Sequence, residues 1–227
     1  MTEKKRKILI TAAVLILVSI AAVIGIWLYM NRFDPVEYVQ AVLDASYKNQ
    51  TEAYVKITGV SEEEAGQIFE DNLDATMEQF ASSPMPEELK PKYRELFAQL
   101  AEHVSYTVGE AVREEDGSYS VPVKVKPVTL FTDTYEAFRQ KAQEYADQVT
   151  DSVMGGVEMP TDEEMQAQVY EIYYEVLSDG INDGMMYGEA KDVTLHVRKN
   201  DRGDYEIDDS DMKELDSLLI QDTEEES

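Results

Sequence analysis

From Ile8 to Met30 the chain runs through 23 consecutive positions without a charged side chain. At ~1.5 Å rise per residue, a helix over that run is roughly 34 Å long, enough to cross the hydrocarbon core of a bilayer with modest tilt. The run predicts a membrane-spanning helix at 8–30. Lys4, Lys5, Arg6 and Lys7 precede it, whereas Arg32 alone follows closely. By the positive-inside rule, residues 1–7 form a cytoplasmic basic tail and everything after Met30 lies outside the cytoplasm. Trp27 and Tyr29 stand at the outer end, where amphipathic rings favour the headgroup layer. A cleaved signal peptide has the same polarity, but its apolar region is only ~7–15 residues and ends in small side chains. Here the run ends in Trp27, Leu28, Tyr29 and Met30, which favours an uncleaved anchor in the cell membrane.

The 227 residues hold 20 Lys+Arg against 47 Asp+Glu, a net charge of -27. Residues 1–30 contribute four cations against Glu3, so residues 31–227 carry 16 cations against 46 acids, a net of -30. That balance excludes nucleic acid as a partner, because phosphate recognition needs a basic face. It predicts salt-sensitive attraction for cations. The hydrophobic fraction of 43% supports a packed core despite the charge. The sequence has no cysteine, so it offers no disulfide, thiolate zinc site, catalytic thiol or lipidated Cys.

Beyond the membrane run, apolar spacing alternates between two periods. Asp34-Pro35 reads as an N-cap and first-turn proline, followed by Val36, Val39, Val42, Leu43 and Tyr47 at helical spacing. Ser61 and Glu64 form a capping box ahead of the stripe Ala65, Ile68, Phe69, Leu73, Met77 and Phe80, which Pro84 and Pro86 terminate. Leu89, Tyr93, Leu96, Phe97 and Leu100 make a third stripe that starts near Pro91. Period two then takes over. Val104, Tyr106 and Val108, a turn at Glu114–Gly117, and Tyr119, Val121, Val123 and Val125 predict a β-hairpin, with Pro122 marking an edge position or a bulge. Helical spacing returns in Tyr135, Phe138, Ala142, Tyr145 and Val149. After a Gly155, Gly156, Pro160 loop, a Thr161–Glu164 capping box opens Met165, Val169, Ile172 and Val176, predicting a helical hairpin. Val193, Leu195 and Val197 pair with Tyr205 and Ile207 through Asn200–Asp204, and a short acidic helix at 212–220 precedes a frayed tail at 221–227. Strands grouped in two hairpins, with helices segregated around them, indicate an α+β extracytoplasmic domain over 31–220 built on an antiparallel sheet.

The runs Pro35-Val36-Glu37-Tyr38-Val39-Gln40-Ala41-Val42-Leu43-Asp44-Ala45-Ser46-Tyr47, Tyr54-Val55-Lys56-Ile57-Thr58-Gly59, Glu62-Glu63-Glu64-Ala65 and Asn72-Leu73-Asp74 carry a resemblance. So does the ending Tyr205-Glu206-Ile207-Asp208-Asp209-Ser210-Asp211 with Leu215-Asp216. They resemble a domain of unknown function found in membrane-anchored proteins and lipoproteins of Firmicutes, over nearly all of residues 34–220. The resemblance implies a cystatin-like or nuclear-transport-factor-like cone, with helices on a curved sheet around a pocket, and it implies no activity. Unlike the lipoprotein members, this sequence has no cysteine, so its attachment falls to the helix.

Candidate chemistry is sparse. Only His103 and His196 are present, and alternation puts His196 opposite Val193, Leu195 and Val197 on the wetter strand face. No G-x-S-x-G nucleophile elbow occurs. The acid pairs at Glu62–Glu64, Glu163–Glu164 and Asp208–Asp211 sit at helix starts, where the dipole favours them. Asp179–Asp183 and Asp201–Asp211 concentrate oxygen ligands without the spacing of a calcium loop, so no metal or cofactor is expected. Arg202-Gly203-Asp204 reads as a turn, and Asn49-Gln50-Thr51 matches a glycosylation sequon by a pattern common by chance. Fourteen tyrosines are the remaining binding clue. Tyr170, Tyr173, Tyr174 and Tyr187 cluster around one helix, where they line a groove or, more simply, pack in its core stripe. The sequence thus predicts a non-enzymatic binding module for a small ligand, a cation or a cell-envelope protein. The alternative is a hydrolase with a carboxylate- or His-based site in a cone-like pocket.

Overall fold

The computed structural model describes residues 33–80, 85–184 and 186–221. The expected membrane helix at 8–30, its orienting residues Lys4, Lys5, Arg6, Lys7, Trp27 and Tyr29, and positions 222–227 of the tail lie outside them. Among the described residues no helix is long and apolar enough to cross a membrane. The chain divides into two units, Met1–Asp34 and Pro35–Ser227, and the architecture below belongs to the second.

Helix α1 spans Pro35–Lys48, and its buried stripe of Val39, Leu43 and Tyr47 follows the i, i+4 rows of a helix. The next helix, α2 at Glu52–Thr58, is a correction to the sequence reading, which placed no element there. It buries no residue, so it leaves no apolar stripe to read. Helix α3 runs Glu62–Phe80 and buries Ala65, Phe69 and Leu73. Its capping box forms as expected: the Glu64 amide donates to Ser61 Oγ, and the Ser61 amide donates to Glu64 Oε2. Helix α4 spans Lys90–Glu102.

Strands β1 (Ser105–Val108) and β2 (Val112–Arg113) pair in succession with one long strand, β3 (Tyr119–Lys126). Strand β4 (Lys191–Lys199) pairs antiparallel with the other side of β3, and β5 (Tyr205–Ile207) closes the row. The two expected hairpins thus form one curled antiparallel sheet. β3 is therefore an interior strand in unbroken register with β4, so Pro122 sits neither at an edge nor in a bulge of its own strand; the irregularity lies in the partner, between β1 and β2. The Pro122 carbonyl accepts the Gly109 amide in the gap between β1 and β2. A residue in an antiparallel strand directs N–H and C=O to the same side, so the donor that proline lacks falls where the partner strand is already interrupted.

Between the hairpins, helix α5 (Leu130–Met154) and helix α6 (Asp162–Asp183) form the expected helical hairpin. Thr161 and Glu164 make the reciprocal cap of α6. Only the base of this arm is in the core, through Leu130, Thr134, Ile172, Val176 and Leu177. Tyr135 and Val169, expected in the buried stripes, are exposed, and the tip residues Met154, Val157 and Met159 more so. Helix α7 spans Asp209–Leu219, beginning three residues before the sequence estimate.

One face of the sheet buries Val121, Val123, Val125, Val193, Leu195 and Val197 beneath α1 and α7. Each such side chain contributes roughly 1.5–3 kcal/mol by leaving water. A second cluster joins α3, α4 and α6 through Phe69, Tyr93, Phe97, Leu100 and Leu177. Val128 belongs to it and also ties the chain end back: its amide donates to the Leu219 carbonyl, and its carbonyl accepts the Gln221 amide.

Candidate functional site

Where α1, α3, α4 and α7 converge, they leave a cavity of about 250 Å³. Its apolar wall comes from Phe69 and Leu73 of α3, Phe97 and Leu100 of α4, and Leu219 at the end of α7. The polar end is made by Tyr47, Asn72, Thr76 and Asp216. Tyr47 enters because it lies one turn after Leu43 on the buried stripe of α1. Asp216 follows the fully buried Leu215 and so falls at the margin of the α7 apolar face.

The Tyr47 hydroxyl donates to Asp216 Oδ1, the Asn72 amide donates to the Ser46 carbonyl at 3.0 Å, and the Thr76 hydroxyl donates to the Asn72 carbonyl at 2.9 Å. Behind Tyr47, Tyr106 packs edge-on at 6.4 Å between ring centroids and donates to Asp44 Oδ1 at 2.6 Å. Burial, and then the Asp216 charge, pushes the Tyr47 hydroxyl far above the usual phenol range. Burial followed by the Asp44 hydrogen bond does the same to Tyr106. Both hydroxyls are therefore donors at neutral pH. Asp216 is exposed as a residue, yet its carboxyl, which receives the Tyr47 hydroxyl, is partly desolvated. Desolvation accordingly raises its pKa above the ordinary carboxylate value, while the Tyr47 hydrogen bond opposes the shift.

Three of the four tyrosines singled out in the sequence come together elsewhere. Tyr170 and Tyr174 stand edge-on to Tyr93 of α4 at 6.0 and 5.7 Å, and the Tyr93 hydroxyl donates to the Tyr170 carbonyl at 2.7 Å. Tyr173 stacks on Phe80 at 5.8 Å and meets Phe138 at 4.6 Å. This is an aromatic seam between the α5–α6 arm and the body, and Tyr170 and Tyr173 also line a shallow open groove beside it with Phe80, Phe138 and Met165. Tyr187 stands apart in the α6–β4 connection, donating to the His103 carbonyl at 2.8 Å. None of these four lines the convergent cavity. Its polar residues lacked a sequence signal, because Tyr47 and Asp216 are 169 positions apart.

A second cluster lies on the outer sheet face. His196 Nδ1 is 2.9 Å from Asp211 Oδ2, and the same oxygen accepts the His196 backbone amide at 2.7 Å. Asp208 completes a trio whose ligand atoms lie within 4.8 Å of one another. Arg198 already pairs with Asp208, and the trio sits at the start of α7, whose dipole opposes a cation. Ser120 faces His196 across the β3–β4 ladder, but its hydroxyl donates to Glu114 Oε1 at 2.5 Å. The cluster thus holds a His–Asp pair that fastens α7 to β4, with the nearby serine proton directed to another acid.

Comparison with known proteins adds a fold. No family model matches the chain, and no curated protein matches it. Among solved structures it is similar to YcdA of Bacillus subtilis, provisionally assigned as a lipoprotein, with a TM-score of 0.57 and 16% sequence identity. The likeness is one of fold. It covers 82% of this chain and 56% of that one, so this chain spans little more than half of YcdA.

Proposed function

We propose that this protein is a membrane-anchored extracytoplasmic binding module whose ligand site is the cavity between α1, α3, α4 and α7. The cavity carries the reading: a mostly apolar wall with a small polar end is the ordinary construction of a small-ligand site. The anchor is the uncharged run at 8–30, oriented with Lys4–Lys7 in the cytoplasm. Fold similarity to a Bacillus protein assigned to the lipoproteins supports an envelope setting. It also supports membership in the Firmicutes domain group resembled by residues 34–220. The helices over a curled antiparallel sheet suit a cystatin-like cone, although the cavity lies among helices and not in the sheet's concavity.

The hydrolase alternative needs a second titratable group able to exchange protons beside Asp216. Among the described residues that line the cavity, the one beside it is Tyr47, a phenol held protonated far above neutral pH.

Two measurements test the proposal. The cysteine-free chain gives no labelling background, so Thr2→Cys and Ser152→Cys report topology with a membrane-impermeant maleimide on intact cells. Ser152→Cys should label at once and Thr2→Cys only after permeabilisation; the reverse pattern overturns the orientation. For the site, full-length protein in lipid nanodiscs is screened by thermal shift, since a ligand of the native state raises the melting temperature. Stabilising compounds should lose their effect when Ala75→Phe fills the cavity from its α3 wall. If they all act undiminished on that variant, the cavity is not the site.

A further inference from the structure

At the polar end of the cavity three donor groups each give one hydrogen to the protein, and the Asn72 amide keeps a second. Tyr47 O–H goes to Asp216, the Asn72 amide to the Ser46 carbonyl, and the Thr76 hydroxyl to the Asn72 carbonyl. Asp216 Oδ2 and Asn72 Oδ1 take no hydrogen bond from any described residue, while the Ser46 hydroxyl and Gln79 can serve either way. Among the described residues that line the cavity, Asp216 is the one charged side chain. The acidic body adds a long-range field of the same sign, -30 over residues 31–227.

We infer that the cavity takes a monocationic amine with a compact apolar body, its ammonium seated against Asp216 and Asn72 and its hydrocarbon against Phe69, Leu73, Phe97 and Leu100. An ammonium is all donor, so it satisfies the acceptors left over, and its charge pairs with the carboxylate in a partly desolvated place. An anion meets Asp216 and the body charge together and is rejected. A neutral ligand of the same shape gains the apolar wall and forgoes the ion pair. An apolar cavity of about 150 Å³ holds one benzene ring, so about 250 Å³ suits a ring, or a chain of similar bulk, with a short aminoalkyl arm.

The inference rests on the binding-module reading, and isothermal titration separates the two. Full-length protein in zwitterionic phosphatidylcholine nanodiscs, with empty nanodiscs as blank, is titrated with 2-phenylethylamine, the uncharged 2-phenylethanol and the anionic 3-phenylpropionate. The amine should bind at least about tenfold more tightly than the alcohol, a charge-assisted hydrogen bond being stronger than a neutral one. The Asp216→Asn variant should erase that preference while leaving alcohol binding within about threefold, because asparagine keeps the shape and an oxygen for Tyr47. If the alcohol binds as well as the amine and Ala75→Phe blocks both, the amine inference falls and the binding module stands. If Asp216→Asn leaves the amine preference intact, the assignment of the ammonium to that carboxylate is overturned. If none of the three probes binds, the cavity fails both as an amine site and as the module's site for ligands of this size.

Discussion

The Tyr47 hydroxyl donates to Asp216 Oδ1, joining the first helix of the described body to the last across 169 positions of sequence. Removing the donor with Tyr47→Phe keeps the ring in place and leaves the carboxylate without its partner. The expected cost is about 1 kcal/mol, typical of one partly exposed hydrogen bond, read as a lower urea midpoint with an unchanged m-value. Because the Tyr47 hydrogen bond lowers the Asp216 pKa against desolvation, the same variant should move that pKa further up, followed by NMR titration of the carboxyl carbon.

The pH dependence has a definite sign. Asp216 binds its proton more tightly in the folded chain than at its ordinary value of 3.8. The stability this contributes is fully present below that value and is lost as pH rises through the folded pKa. Wild-type stability minus that of Asp216→Asn should therefore decline as pH rises across that window, in urea titrations at stepped pH. Glu64 behaves oppositely, because hydrogen bonds from the Ser61 backbone and side chain lower its pKa. Its contribution is present above 4.5 and lost as pH falls through the lowered value, so wild type minus Glu64→Gln should rise with pH there.

Two helical glycines should respond to alanine with opposite signs. A Cβ on Gly66 meets nothing within 4 Å, so Gly66→Ala should stabilise by up to about 1 kcal/mol through helix propensity. A Cβ on Gly180 would come within 2.7 Å of Leu130 Cδ1 and 2.8 Å of Thr134 Cγ2, where α5 and α6 meet. Overpacking there costs about 1–3 kcal/mol, more than the propensity gained, so Gly180→Ala should lower the thermal midpoint. Equal stabilisation of both variants would contradict the close α5–α6 approach.

The capping box of α6 should govern the near end of that helix. Thr161→Ala removes the side chain that accepts the Glu164 amide and should cost about 1 kcal/mol of local stability. Amide hydrogen exchange should speed up in the first turn of α6 while that of β3 and β4 stays unchanged.

How much of this was legible depended on the range of each interaction. Ser61–Glu64 and Thr161–Glu164 are contacts three residues apart, and a capping box follows directly from the residue types. Val193, Leu195 and Val197 declare a one-sided strand by alternation. Helix α2 was invisible because its seven residues bury nothing. The tyrosines at 170, 173 and 174 looked alike along the chain, and only the arrival of Tyr93 and Phe80 from other helices shows which rings each one packs against.

By itself the sequence determined the uncharged run at 8–30, the segregation of charge, the helix caps and the two periods that make this an α+β chain. Those features are local, set by side chains within a turn or two of each other. Tertiary structure alone decided that β3 meets β4 to make one sheet, and that Pro122 is tolerated inside it opposite an interrupted partner. It alone set Asp216 against Tyr47 at the end of an apolar cavity. Each depends on long-range pairing, whose partners are chosen by the packing of the whole core and leave no periodic mark in the chain.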